Sequence, residues 1–287
     1  MNAERPEGLL LVDKPGGITS HDAVDLVRRA IGTKKVGHAG TLDPMATGLL
    51  LIGVGRATRL LRFLGSLSKT YEGSLRLGIE TDTLDADGSV TRRVPTAGLT
   101  DDAIALAMAS KLGESDQVPP AYSAVKVAGR PLYDAARAGE VARADPRRIR
   151  VDRFDLTWRD GDEARFTCVV SGGTYVRVLA AEVGVTLGTV AHLTSLRRTA
   201  IGAFVVDDAS PPDAPGQAQP LERAVAHLPR LQLDGEEAVA ASHGRILAPA
   251  GLDGPYGVYG DDGRLIGIWR DDGGKAVAEM VLAPAGG

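Results

Sequence analysis

The chain has 287 residues, 44% of them hydrophobic, and a formal net charge of −4. That length and apolar share suit a globular protein with one large domain, or a large and a small one, around a sizeable core. No apolar run approaches the roughly eighteen residues of a membrane helix, and the N-terminus lacks the basic-then-apolar order of a signal peptide, so a cytoplasmic protein is expected.

In chain order, "GLLLVDKPGGITSHDAVDLVRRAIG" reads as a short strand, a Pro-Gly-Gly loop and a helix with Ser20 as its N-cap. The loop "KKVGHAGTLDPMATG" follows and places one carboxylate, Asp43, among glycines and small residues. "GLLLIGVGRATRLLRFLG" predicts a buried strand entering a helix with Arg56, Arg59 and Arg62 on one face. "KTYEGSLRLGIETDT" alternates as a strand, and "TDDAIALAMASKLG" is a helix capped by Thr100. "RFTCVVSGGTYVRVLAAEVG" runs strand, Gly-Gly turn, helix, with the lone Cys168 as a core residue. Helices and strands mix without a regular βαβ alternation, which favours α+β with a largely antiparallel sheet. The stretch 207–220, "DDASPPDAPGQAQP", predicts a linker, followed by a short helical piece at "LERAVAHL". From residue 231 short strands separated by Asp-Gly turns predict a small β-barrel or meander. The expected division is therefore 1–210, 211–230 and 231–287.

Charge is uneven. Residues 1–206 carry 27 Lys and Arg against 24 Asp and Glu, whereas residues 231–287 carry 4 against 9. The basic side concentrates between Lys126 and Arg153, where Lys126, Arg130, Arg137, Arg143, Arg147, Arg148, Arg150 and Arg153 lie near Tyr122 and Tyr133. Such a run is either a solvated face or a phosphate-binding one. Five histidines and one cysteine show no metal-ligand spacing, and no phosphate loop, dinucleotide fingerprint or serine elbow occurs. No metal and no cofactor are therefore expected. Taken alone, Asp43 before Pro44 fits an Asx-turn as well as a catalytic group.

Five stretches settle that choice: "GLLLVDKPGGITSHDAV", "VGHAGTLDPMATGLL", "KTYEGSLRLGIETDTLDADG", "PPAYSAVKVAGRPLYDAARAG" and "SGGTYVRVLAAEVG…AHLTSLRR". In order and spacing the chain resembles the bacterial tRNA pseudouridine-55 synthases, across nearly all of residues 8–200. The resemblance implies a pseudouridine synthase fold with a mixed, largely antiparallel sheet, flanking helices and a small PUA-like β-barrel at the C-terminus. It implies an isomerase that flips uridine 55 out of the T-loop, detaches its base and rejoins it through carbon, without a cofactor. Asp43 takes the place of the catalytic aspartate, acting as nucleophile or as base on the sugar. Tyr71 matches the tyrosine that stacks on uracil and serves in proton removal, and Arg177 the arginine that pairs with the aspartate. Tyr175 and Leu196 match pocket residues, and His38 the histidine that fills the space left by the extracted base. Lys126, Arg130, Arg147, Arg148 and Arg150 are expected on the RNA backbone, with the T-arm of tRNA as partner and the chain acting as a monomer. Gly173 departs from the family turn, which carries a larger or basic residue there. The acidic C-terminal segment is expected to add little to RNA binding. An RNA chaperone without chemistry is the rival reading; it would not need Asp43, Tyr71 and Arg177 together. A synthase for another RNA is a second rival, because the motifs specify chemistry better than target.

Overall fold

A computed structural model describes residues 6–282, apart from 124, 128 and 141 and the side chain at 137. The first half contains β1 (Gly8–Lys14), α1 (Ser20–Ile31), β2 (Val36–Ala39), β3 (Thr47–Val54), α2 (Leu61–Leu64), β4 (Lys69–Leu77), β5 (Ile79–Thr81), β6 (Val90–Arg93) and α3 (Asp101–Ala109). Then come β7 (Gly113–Gln117), β8 (Lys126–Val127), β9 (Arg130–Pro131), α4 (Leu132–Arg137), β10 (Arg147–Asp160), β11 (Glu163–Val170), α5 (Val176–Thr186), β12 (Ala191–Ile201) and β13 (Phe204–Val205). The C-terminal part holds β14 (Arg230–Gln232), α6 (Gly235–Ser242), β15 (Pro255–Tyr259), β16 (Leu265–Asp272) and β17 (Lys275–Val281).

The large sheet runs β1-β3-β12-β4-β11-β10-β7, with β2 added to β3 and β13 to β12. Its neighbours are antiparallel except β12 and β3, which run parallel through Arg197↔Thr47 and Arg198↔Gly48. The continuous apolar runs of β1 and β3 follow from burial on both faces. Leu9, Leu11, Leu49 and Leu51 face one cluster, while Leu10, Val12, Leu50 and Ile52 face α1 through Ala23, Val24 and Val27. Beyond β12, α3 and α5 cover the sheet, and Ile104, Met108, Leu179 and Val183 pack on Leu75, Phe166 and the buried Cys168.

Three local expectations change. The N-cap of α1 is Thr19, not Ser20, and it forms a capping box with Asp22; Ser20 is thereby free for another task. The segment after β3 is a 3₁₀ turn, Gly55–Arg59, and the single-turn α2. Its arginines are held within the protein: Arg56 pairs with Glu7 at 2.5 Å, Arg59 donates to the Val281 carbonyl at 2.7 Å, and Arg62 reaches Glu279 at 3.1 Å.

The C-terminal strands form an open four-stranded sheet, β14-β15-β16-β17, in which β15, β16 and β17 are the meander that the turn pattern allows; among the described residues the sheet does not close into the PUA-like barrel that the resemblance implies. β14 enters parallel to β15, and on the outer edge of β17 Ala276 and Leu247 exchange backbone bonds of 3.0 Å. Tyr259, Ile268 and Met280 join Leu60, Phe63 and Leu64 in one cluster, so this sheet packs on the first one. Residues 207–220 run along β1, with Leu9 and Gln219 exchanging backbone bonds of 2.9 and 2.8 Å and Asp13 donating to the Ser210 carbonyl at 2.9 Å. No helix among the described residues is long and apolar enough to cross a membrane.

Candidate active site

Asp43 sits in the loop between β2 and β3, and neighbouring segments fix that loop. The Ser20 hydroxyl accepts from the Leu42 amide at 2.8 Å and donates to the Leu42 carbonyl at 3.2 Å. The Pro44 carbonyl accepts from the Gly17 amide at 2.9 Å and from Lys14 Nζ at 3.3 Å. Arg198 Nη2 donates to the Gly40 carbonyl at 2.9 Å. The carboxylate is thus presented on a backbone tethered on both sides. Gly48, the second residue of β3, has φ +102°, and a Cβ there would stand 2.3 Å from the Arg198 carbonyl oxygen. It serves the close approach of β3 and β12.

Arg177, at the start of α5, organises the site. Its Nη2 donates to Asp43 Oδ1 at 3.0 Å and to the Tyr122 carbonyl at 2.8 Å, while Nη1 donates to the Thr83 carbonyl at 3.0 Å. A second carboxylate, Asp85 Oδ2, lies 3.6 Å from Nη1. Asp85 is held by Thr83 Oγ1 at 2.5 Å and by the Asp87 amide at 3.2 Å. Burial pushes the Asp43 carboxyl above the usual carboxylate range; Arg177 opposes that shift and Asp85 adds to it. The guanidinium moderates the rise without reversing it.

A cleft of ≈ 700 Å³ opens over Asp43 and brings together His38, Tyr71, Tyr175, Arg177 and Leu196. Tyr71 projects from β4 and is 6% exposed, its hydroxyl 3.5 Å from Arg198 Nη1. Tyr175 is clamped through its backbone, which donates to Gln117 Oε1 at 2.8 Å and accepts from Gln117 Nε2 at 3.2 Å. Two guanidiniums stand near its ring, Arg147 at 5.5 Å and Arg177 at 5.9 Å from the centroid. Leu196 reaches the cleft from β12. Burial lowers the His38 pKa, and its Nδ1 is buried without a hydrogen-bond partner among the described residues. A neutral, unsatisfied imidazole at the cleft wall suits contact with a polar base. Gly173 adopts φ +86°, a conformation that disfavours any side chain, which accounts for the departure at that turn.

The basic segment divides. Arg147 lines the cleft. Arg130 pairs with Glu140 at 2.9 Å, Arg148 with Glu114 at 3.1 Å, and Arg150 with Asp152 at 2.5 Å. Lys126 is exposed on β8 and, like these three, does not line the cleft. Sequence reasoning missed Lys14, Ser20, Asp85 and Arg198. Each stands inside one of the stretches that carry the family resemblance, which is the signal that could have found them.

Two family models match the chain: "TruB family pseudouridylate synthase (N terminal domain)" over residues 28–176 and "tRNA Pseudouridine synthase II, C terminal" over residues 228–283. A tRNA pseudouridine synthase B of Mycobacterium sp. (strain KMS) is 47% identical over 97% of each chain. That of Mycobacterium tuberculosis (strain ATCC 25618 / H37Rv) is 43% identical over 99% of this chain and 98% of its own. Among solved structures, a chain of a Cbf5-Nop10-Gar1 complex superposes with a TM-score of 0.73 at 26% identity, covering 97% of this chain and 85% of that one. The chain belongs to the TruB family of pseudouridylate synthases.

Proposed function

We propose that the protein isomerises uridine 55 in the T-loop of tRNA to pseudouridine, with Asp43 as the acting carboxylate. The observation that carries this reading is Asp43 held at 3.0 Å by the buried Arg177 in a cleft also lined by Tyr71, Tyr175 and Leu196. The target uridine must leave its stack to reach such a recess, since its sugar carbon is otherwise shielded. Tyr71 and Leu196 sandwich the base, Tyr175 closes the pocket, and His38 fills the vacated position. Arg177 occupies Asp43 Oδ1; Oδ2, which makes no hydrogen bond among the described residues, is left for the sugar. From there it acts as nucleophile at C1′ or as base on the ribose. The relatives' printed name supports tRNA as the substrate. The test is tritium release from a tRNA transcript labelled at uracil C5, combined with mapping of the modified position. Release with pseudouridine at position 55 is expected; release from another RNA alone would replace the substrate.

We further assign the RNA backbone to the basic residues Lys126, Arg130, Arg147, Arg148 and Arg150, with unequal weights. Arg147 is oriented to the cleft, whereas Arg130, Arg148 and Arg150 already face carboxylates and would have to exchange partners. Neutralising Arg147 is expected to lower the slope of log affinity against log salt by about 0.7–0.9, the value of one phosphate contact. Neutralising Arg148 and Arg150 in addition should lower it by less than ~1 further, because exposed ion pairs are weak but still compete. Filter-binding titrations across salt concentrations measure both; a slope insensitive to Arg147 would move the RNA to another face.

A further inference from the structure

The floor of the cleft holds buried positive charge that the roles above leave unused. Lys69 is 5% exposed and Arg198 1%, and both line the cleft. Its two carboxylates nearest the site, Asp43 and Asp85, are both engaged by Arg177, and neither Lys69 nor Arg198 makes an ion pair among the described residues. Lys69 Nζ spends two N–H bonds on the Gly65 and Leu67 carbonyls at 2.6 and 2.7 Å. Arg198 donates to the Leu49 and Gly40 carbonyls at 2.7 and 2.9 Å. The two cations flank Gly40, where a Cβ would stand 3.6 Å from Arg198 Nη1 and 3.8 Å from Lys69 Cε. Buried cations lacking an anion are costly. Burial and then Arg198 lower the Lys69 ammonium to about 8, which leaves it charged at neutral pH. Such a surplus is explained if an anion forms there during turnover.

The isomerisation supplies one. As the C1′–N1 bond breaks, its electron pair stays on the base and spreads over N1, O2 and O4. If Asp43 attacks C1′, its oxygen forms the new bond; if it removes a ribose proton, that C–H pair becomes the sugar double bond. Either way the carboxylate's negative charge passes to the detached uracil. C5 then bonds C1′ as the Asp43–C1′ bond breaks, or as Asp43 returns its proton to the ribose double bond; the C5 proton is lost and N1 gains one, so the carboxylate is regenerated and the product base is neutral.

Resting on the proposed function, we propose that Lys69 and Arg198 form a preorganised electrostatic seat for the detached uracil anion. Arg198 is 3.5 Å from the hydroxyl of Tyr71, the ring assigned to stack on the base, and Lys69 follows two residues before Tyr71 on the same face of β4. Fixed charges aimed at a developing anion in a water-poor site lower the barrier to its formation. Their effect must therefore depend on how stable the anion is by itself.

That dependence is the test. A T-arm stem-loop is prepared with uridine or with 5-fluorouridine at the target position; the fluorine makes the base more acidic and the anion less in need of help. Lys69→Gln keeps donors for the Gly65 and Leu67 carbonyls and removes the charge, with Lys69→Met as a second neutral variant should the first fail to fold. Single-turnover consumption of the uridine RNA is expected to slow by ~10–100-fold, that of the fluorinated RNA at least ~3-fold less, and Lys69→Arg should recover most of the rate. Equal slowing of both RNAs, or no advantage of Lys69→Arg over Lys69→Gln, would overturn the seat. A wild-type protein that consumes neither RNA would overturn the functional reading, and this inference with it.

Discussion

Asp43→Asn is expected to abolish isomerisation while leaving RNA affinity within a few-fold of wild type. The amide has the carboxylate's shape and can remain beside Arg177, so the loop tethered by Ser20, Gly17 and Arg198 keeps its course. What disappears is the carboxylate to which the proposed function gives the bond-forming or proton-accepting role at the sugar. Loss of a group that acts at the reacting bond, with binding retained, lowers kcat and kcat/KM together, here by at least ~10³-fold. The same substitution should raise the melting temperature. Burial holds the Asp43 pKa above its ordinary value, so between the unfolded and folded pKa the native state binds the extra proton. Stability therefore falls as pH rises through that window, and at neutral pH the ionised group is a net cost that Asn removes. Tritium release from C5-labelled tRNA transcript and a thermal melt check the two halves. Turnover within ~10-fold of wild type would remove Asp43 from the chemistry.

How much of this was legible in the sequence depended on whether a feature was local. The runs "GLLLV" and "GLLLIGV" announced buried strands, and the Thr100 cap, the Gly-Gly turn before α5 and the core position of Cys168 all follow from neighbours in sequence. The N-cap of α1 shows where local reading stops: Thr19 and Ser20 are equivalent as caps, and only the Leu42 backbone, brought near by the fold, decides that Ser20 is used elsewhere. Arg198 and Lys14 were illegible for the same reason. Each acts on the loop around Asp43 from a distant strand, and a buried cation bonded to carbonyls has no spacing signature. The basic run from Lys126 to Arg153 was legible only in part: Glu140 and Asp152, which pair with Arg130 and Arg150, stand inside the run, whereas Glu114 and Asp116, which face Arg148, lie on β7 outside it. Of the barrel and meander that the C-terminal turn signals allow, β15, β16 and β17 form the antiparallel meander; local turns predict adjacent antiparallel strands but decide neither closure nor the parallel entry of β14.

Arg177→Met is expected to cut turnover by at least ~100-fold, the scale of lost positioning at a reacting centre, and to shift the acid limb of the surviving activity to higher pH. Wild-type Asp43 is already raised by burial, with Arg177 as the opposing influence and Asp85 as a further upward one. Methionine fills the aliphatic volume but removes the cation between two carboxylates that stand within 3.0 and 3.6 Å of it. Like charges then face each other in a poorly hydrated recess, and the proton is held more tightly. Since the ionised form of Asp43 is the reactive one, activity disappears as pH falls through its folded pKa, and that point must move upward in the variant. The Thr83 and Tyr122 carbonyls also lose their donor, which loosens the segments carrying Asp85 and the cleft wall and accounts for the rate loss at high pH, where Asp43 is ionised regardless. Arg177→Lys should restore part of the pH shift and little of the rate, because a single ammonium nitrogen cannot occupy the two positions from which Nη1 bonds Thr83 and Nη2 bonds Asp43 and Tyr122. Single-turnover rates at saturating RNA across pH ~4–9 separate the two effects. An acid limb that stays at the wild-type position would mean that Arg177 only holds the loops in place.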